Sequence, residues 1–132
     1  MINELELEVS AAEIDGLGHV NNARIFEYLE QGRVGWYNQC GLFHESSPGQ
    51  RLGTVVVNIN VNFRAECFQG ECLRVITRPR SRGKNSYLLY QEIRNADDQL
   101  VTEAAVTSVV MDLDTRQTVT IPGVLTDQFE RP

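Results

Sequence analysis

The second half of the chain is filled with strand patterns separated by very short connections, and this constrains the fold more than any other feature. Val55, Val57, Ile59, Val61 and Phe63 alternate with Val56, Asn58, Asn60 and Asn62, the period of two expected of a two-faced strand. Further strand patterns occupy residues 71–78, 85–94 and 100–112, and a short one spans 117–121, closed by Pro122. The separators are residues 67–70, the basic stretch 78–84, read as a turn, and residues 95–99. None can hold the dozen or more residues that a parallel crossover needs, so successive strands must run antiparallel. The Asn58, Asn60, Asn62 series marks the outer, wetter face of the sheet or a contact between subunits.

The first third adds one strand and one helix. Leu5, Leu7 and Val9 alternate with Glu4, Glu6 and Glu8, a half-buried strand. The chain then breaks at Asp15-Gly16-Leu17-Gly18. Over residues 22–38, Ile25, Leu29, Gly32 and Trp36 fall on one helical face, which Phe26 and Tyr28 widen. Asn21 or Asn22 supplies the N-cap. Gly32 and Gly35 each cost a helix interior about 1 kcal/mol, so their presence predicts another backbone passing close by and a helix that is enclosed. Residues 40–53 read as a loop. One long helix against a largely antiparallel sheet is an α+β domain, and 132 residues suit one such domain, spanning 1–132.

Charge and composition narrow the function classes. A net charge of −6 disfavours general nucleic-acid binding, which needs clustered Lys and Arg. The exception is local: residues 78–84 carry Arg78, Arg80, Arg82 and Lys84, a strip suited to one anionic ligand or to a solvated turn. No apolar run approaches a membrane span, and the acidic start MINELELEVS lacks the basic, apolar pattern of an export signal. The expected setting is therefore the cytoplasm, with Cys40, Cys67 and Cys72 as reduced, packed thiols. His19 and His44 are the only histidines, and no HxxxH or Cys/His cluster exists, so neither a metal site nor a cofactor is expected.

The segment Asp15-Gly16-Leu17-Gly18-His19-Val20-Asn21-Asn22-Ala23-Arg24, continuing through Tyr28-Leu29-Glu30-Gln31-Gly32-Arg33, resembles the D-x-x-G-H-V-N-N-A-x-Y-x-x-Y-x-E-x-x-R segment of the 4-hydroxybenzoyl-CoA thioesterase family and its long-chain acyl-CoA thioesterase relatives. Weaker likenesses follow at Gly70–Leu73, Lys84–Tyr87 and Ile121-Pro122, so the similarity covers nearly the whole chain. The sequence departs from the pattern at three places. Glu13 stands where a second acid is frequent, Ile25 where an aromatic Tyr is usual, and Ala65 and Cys67 where a proline commonly sits.

The resemblance implies a hot-dog fold, a curved antiparallel sheet around one long helix, in a homodimer or homotetramer that hydrolyses acyl-CoA. It implies that Asp15 is the catalytic carboxylate, either attacking the thioester or activating water. The oxyanion donor would be the backbone N–H of Asn22, at the positive end of the helix. Gly18 and His19 complete this catalytic turn, His19 either as a structural hydrogen-bonding group or in contact with substrate. Glu30 is implied either to pair with Arg33 or to line the acyl pocket. Arg82, Lys84 and Asn85 match the region that meets the CoA phosphates, where basic side chains suit a polyanionic head.

Competing readings keep parts of this. Hydration or dehydration of acyl thioesters on the same fold needs a His in an H-x-x-x-G-D-P-like segment, whereas Val-Asn-Asn follows His19 here. A non-catalytic acyl-CoA binding module would keep the tunnel and basic mouth without requiring Asp15. An acyl-carrier-protein thioesterase would keep the acid and change the carrier.

Overall fold

The structure is a computed structural model and describes residues 1–11, 16, 18, 20–42 and 51–129. Asp15 and His19, like Glu13 and His44, lie outside the described residues.

The chain folds as β1 (Asn3–Glu8), α1 (Asn22–Cys40), β2 (Leu52–Phe63), β3 (Cys72–Arg82), β4 (Ser86–Arg94), β5 (Leu100–Asp112), β6 (Gln117–Val119) and α2 (Gly123–Thr126). The strands form one six-stranded sheet in the order β1-β3-β4-β5-β2, with β6 paired to β5. Every ladder is antiparallel, as the short separators require. β1 and β2 are the edges of this path.

α1 starts where Asn21 caps it, the Asn21 side chain accepting from the Ala23 N–H at 2.8 Å. It ends at Gly41, whose φ of 84° closes the helix in the left-handed conformation that glycine adopts freely. Ile25, Tyr28, Leu29, Gly32, Trp36 and Tyr37 are its buried face. They pack on β1, β3 and β4. Two clusters make the core. Ile25, Tyr28 and Leu29 join Leu73, Val75, Ile93, Val101, Ala104 and Val106 at one end of the helix. Trp36 and Tyr37 join Tyr87, Leu89, Val110, Ile121, Leu125 and Phe129 at the other.

Three expectations from the sequence need correction. First, residues 78–82 are strand, not turn: β3 continues to Arg82, with an irregularity between Pro79 and Ser81 where the ladder skips Arg80. The proline's missing N–H is accommodated at that bulge. Second, the single alternation read through residues 55–63 is broken. A bulge between Val56 and Asn58 leaves Val57 unpaired. Phe63, Val61, Ile59, Val56 and Thr54 therefore lie opposite Thr102, Ala104, Val106, Ser108 and Val110, the buried positions of β5, and Val55 turns outward. Third, α1 is not enclosed by the described residues. Phe26, Glu30 and Val34 are exposed, and the groups crowding Gly32 are side chains of β3 and β4 rather than a backbone. Asn58, Asn60 and Asn62 are exposed and pair with Thr107, Ala105 and Glu103 on the solvent face. Of the cysteines only Cys67 is buried; Cys40 is half-buried, Cys72 is exposed, and all three are free.

Candidate active site

The N-terminus of α1 opens into a cleft of about 270 Å³ lined by Val20, Asn22, Ile25, Phe63, Arg64, Ala65, Glu66, Cys67 and Thr102. Two contacts bring its walls together. The Val20 N–H donates to the Cys67 carbonyl at 2.9 Å, tying the segment before the helix to the β2–β3 connection. Arg64 holds Glu103 through its Nη2 at 2.6 Å, and this guanidinium pulls the Glu103 carboxyl below the ordinary glutamate range.

The first turn of α1 leaves one donor free. The Ala23 N–H is capped by the Asn21 side chain, and the Arg24 and Ile25 N–H groups both donate to the Asn21 carbonyl. The Asn22 N–H has no partner among the described residues, and Asn22 lines the cleft. A second polar group is unused: Thr102, fully buried, has a hydroxyl without a hydrogen-bond partner among the described residues, and it lines the same cleft. A free N–H at the positive end of a 19-residue helix favours a negatively charged or carbonyl oxygen there.

A second cleft, of about 230 Å³, lies two to three turns further along α1, against β2. Glu30, Arg33, Val34 and Tyr37 of the helix face Thr54 and Val56 of the strand. Glu30 is exposed, and it is not within ion-pair distance of Arg33. Glu30 borders this cleft. Arg33 donates instead to the Gln91 side-chain oxygen at 3.1 Å, and burial lowers the guanidinium's pKa from its usual value. Behind them Tyr37 and Tyr87 share a short hydroxyl–hydroxyl hydrogen bond. Burial pushes both phenols up, the neighbouring Tyr37 adding to the effect on Tyr87.

Arg82, Lys84 and Asn85 are all at or beside the β3–β4 turn, but not near Asn22 in the same chain. β3 runs alongside α1 in the same direction: Leu73 and Val75 meet the Ile25–Leu29 end, whereas Tyr87, just after the turn, packs on Trp36 and Tyr37. The turn therefore sits at the opposite end of the helix from Asn22. Arg82 is exposed at the end of β3, and the Lys84 carbonyl is held by the Ile121 N–H at 3.1 Å. Gly18, with a φ of 86°, adopts the left-handed conformation, which glycine alone tolerates without strain. Sequence reasoning missed Thr102, Tyr37 and Thr54. The bulge at Val57 hid Thr54, because a strict period of two assigns it to the outer face.

A six-stranded antiparallel sheet carrying one long helix, with a free N–H at the helix start, is the architecture of the hot-dog thioesterases. The family comparison agrees: residues 9–129 match the model of the Thioesterase-like superfamily, and the chain belongs to that family of thioester hydrolases. Long-chain acyl-CoA thioesterase FadM of Escherichia coli (strain K12) is 29% identical over 129 residues, covering 97% of each chain. A Staphylococcus aureus protein solved in complex with CoA superposes with a TM-score of 0.88 at 14% identity, covering 97% of this chain and 81% of that one. A 4-hydroxybenzoyl-CoA thioesterase, with one aspartate replaced by asparagine and 4-hydroxybenzoyl-CoA bound, superposes with a TM-score of 0.85 at 15% identity, covering 96% and 97%.

Proposed function

We propose that the chain is a cytoplasmic acyl-CoA thioesterase, hydrolysing an acyl-CoA to the carboxylic acid and CoA with Asp15 as nucleophile or general base. The free Asn22 N–H facing a cleft at the helix start carries this reading. It is the donor that the thioester oxygen needs as negative charge develops on it, fixed before substrate arrives. Asp15 stands seven residues before Asn22 in the sequence, with Gly18 and His19 between them. That an aspartate-to-asparagine form of a thioesterase of this fold was solved with its ester bound supports a carboxylate as the reactive group.

A homodimer accounts for the distance between Asn22 and the basic turn. β2 is a free edge of the sheet. It runs opposite to α1, with Thr54 near Tyr37 and Phe63 near Phe26. If two copies join their β2 edges antiparallel, the sheet end bearing one copy's Arg82, Lys84 and Asn85 lies beside the other copy's Asn22. The CoA head then meets basic groups from one subunit while its thioester reaches the helix start of the other. Phe26, Phe63 and Val56, exposed in one chain, flank that junction.

The test is thiol release from a panel of acyl-CoAs by the wild type and by Asp15→Asn. Turnover that falls by about 10²- to 10⁴-fold in the variant is the expected result. Undiminished turnover in the variant would remove Asp15 from the mechanism. Saturable acyl-CoA binding by the wild type without turnover would favour a non-catalytic binding module.

A further inference from the structure

The second cleft holds a cation, Arg33, that has no ion-pair partner among the described residues. Arg33 is half-buried, and among the described residues no carboxylate lies within ion-pair distance of it. Its one hydrogen-bond partner among them, the Gln91 side-chain oxygen, is neutral. Gln91 has no freedom to turn away: it is fully buried, and its nitrogen donates to both the Leu29 carbonyl and the Thr77 hydroxyl at 2.9 Å. This three-way clamp aims the guanidinium and leaves most of its five N–H donors for whatever enters the cleft. The Tyr37 and Thr54 side chains line the same wall. Glu30 also borders the cleft, but it is exposed, so water screens its charge far more than it screens that of Arg33. A half-buried cation held only by a neutral amide is poorly compensated, and the occupant that compensates it best is an anion with planar, paired oxygens.

Position along the helix says how this anion would arrive. Arg33 is eleven residues after Asn22, which at 1.5 Å per residue is about 16 Å. Val34 and Val56 supply apolar flanks beside it. We infer, resting on the thioesterase reading above, that the preferred acyl group is a chain bearing a second carboxylate at its far end. The substrate class is then the mono-CoA thioester of a medium-length or long dicarboxylic acid. Its thioester sits at the Asn22 N–H while its free carboxylate meets Arg33 and Tyr37.

The experiment compares CoA thioesters of matched length, ending in carboxylate or in methyl, across six to sixteen carbons. The readout is the ratio of kcat/KM within each pair, so that a general loss of activity divides out. At the best length the wild type is expected to favour the carboxylate-ended ester by about tenfold or more, the usual scale of a charged hydrogen bond. Arg33→Met should bring the ratio to one or below, and Arg33→Lys should retain part of it. Binding of non-hydrolysable thioether analogues with the same two tails reads the preference without turnover. A wild type that hydrolyses both ends equally at every length overturns the inference and leaves the thioesterase reading intact. So does a ratio unchanged by Arg33→Met, which is also what a carboxylate from a second subunit seated on Arg33 would produce. Failure of all hydrolysis, with the analogue preference present, would instead overturn the thioesterase reading alone.

Discussion

A Cβ added to Gly32 would stand 2.5 Å from the Val75 Cγ1 and about as close to the Gln91 and Thr77 side chains, 3.0 and 3.1 Å. Glycine here allows α1 to approach β3 and β4 closely enough for Gln91 to reach the Leu29 carbonyl. Alanine normally stabilises a helix interior by about 1 kcal/mol over glycine. At this position overpacking against a β-branched, fully buried neighbour should outweigh that gain. Gly32→Ala is expected to destabilise the fold by about 2 kcal/mol net, measured by urea denaturation; a stabilised variant would show that the helix rides higher than described.

The Tyr37–Tyr87 pair predicts how stability depends on alkaline pH. Burial raises both phenols, so the folded state holds their protons more tightly than the unfolded chain does. The stability this contributes is complete below the ordinary tyrosine value of about 10 and is lost as pH rises beyond it. Tyr87→Phe removes one of the two groups and the hydrogen bond it shares with Tyr37. At pH 7 the variant should be less stable by about 1–2 kcal/mol. Between pH 9 and 11 its stability should fall less steeply than that of the wild type. Parallel curves from urea melts across this range would rule out the pair as the source of the slope.

The basic turn should act on the CoA head and on nothing else. Arg82 is exposed, and neither it nor Lys84 takes part in the core, so the double substitution Arg82→Ala with Lys84→Ala should fold normally. It should raise KM for acyl-CoA by about tenfold at low salt with kcat little changed, because two charge-assisted contacts to phosphate are lost. The difference should shrink at about 0.5 M salt, where screening is strong. With S-acyl pantetheine, which lacks the nucleotide phosphates, the variant and the wild type should match. A defect that persists with that substrate would place these side chains in the folding or the chemistry instead.

Much of this architecture was legible in the residues, and the illegible parts have physical causes. The helix declared itself through Ile25, Leu29, Gly32 and Trp36, all buried as the period of 3.6 requires. β5 was bounded at residues 100 and 112 by its alternation, and the antiparallel order followed from connection lengths. Local capping chemistry offers Asn21 or Asn22 as the cap, and the structure has Asn21. The bulge at Val57 was not legible: all of Val55, Val56 and Val57 suit either face, so nothing in the side chains marks the skipped register. The basic stretch 78–84 read as a turn, yet the ladder continues through it and absorbs Pro79 at a second irregularity. Phe26 read as core and is exposed, with Phe63 6.2 Å away edge to face. The proposed dimer would supply the surface that buries it. The Arg33–Gln91 contact joins residues 58 apart, a pairing that no local pattern announces.

The exposed apolar groups around β2 argue for a second copy. Phe26, Val34, Val56 and Phe63 are each more than 40% exposed, and all border the free edge or the helix flank facing it. An unpaired edge strand with apolar neighbours is a template for pairing, and a two-fold joining of identical β2 edges closes both copies' β2 edges at once. Light scattering of the wild type at micromolar concentration should therefore give twice the chain mass of 14.9 kDa, or a larger even multiple. Asn58 and Asn60 lie on the solvent face of β2, so Asn58→Lys with Asn60→Lys should leave the circular dichroism unchanged. Across a two-fold, the same substitutions bring like charges from both copies together, which destabilises strand pairing. The double variant should shift toward the single-chain mass and lose turnover together with assembly, because the CoA head then meets no basic turn beside Asn22. A wild type that stays at the single-chain mass while turning over acyl-CoA would show that one chain completes the site alone, and Arg82 and Lys84 would then lose their role in holding CoA.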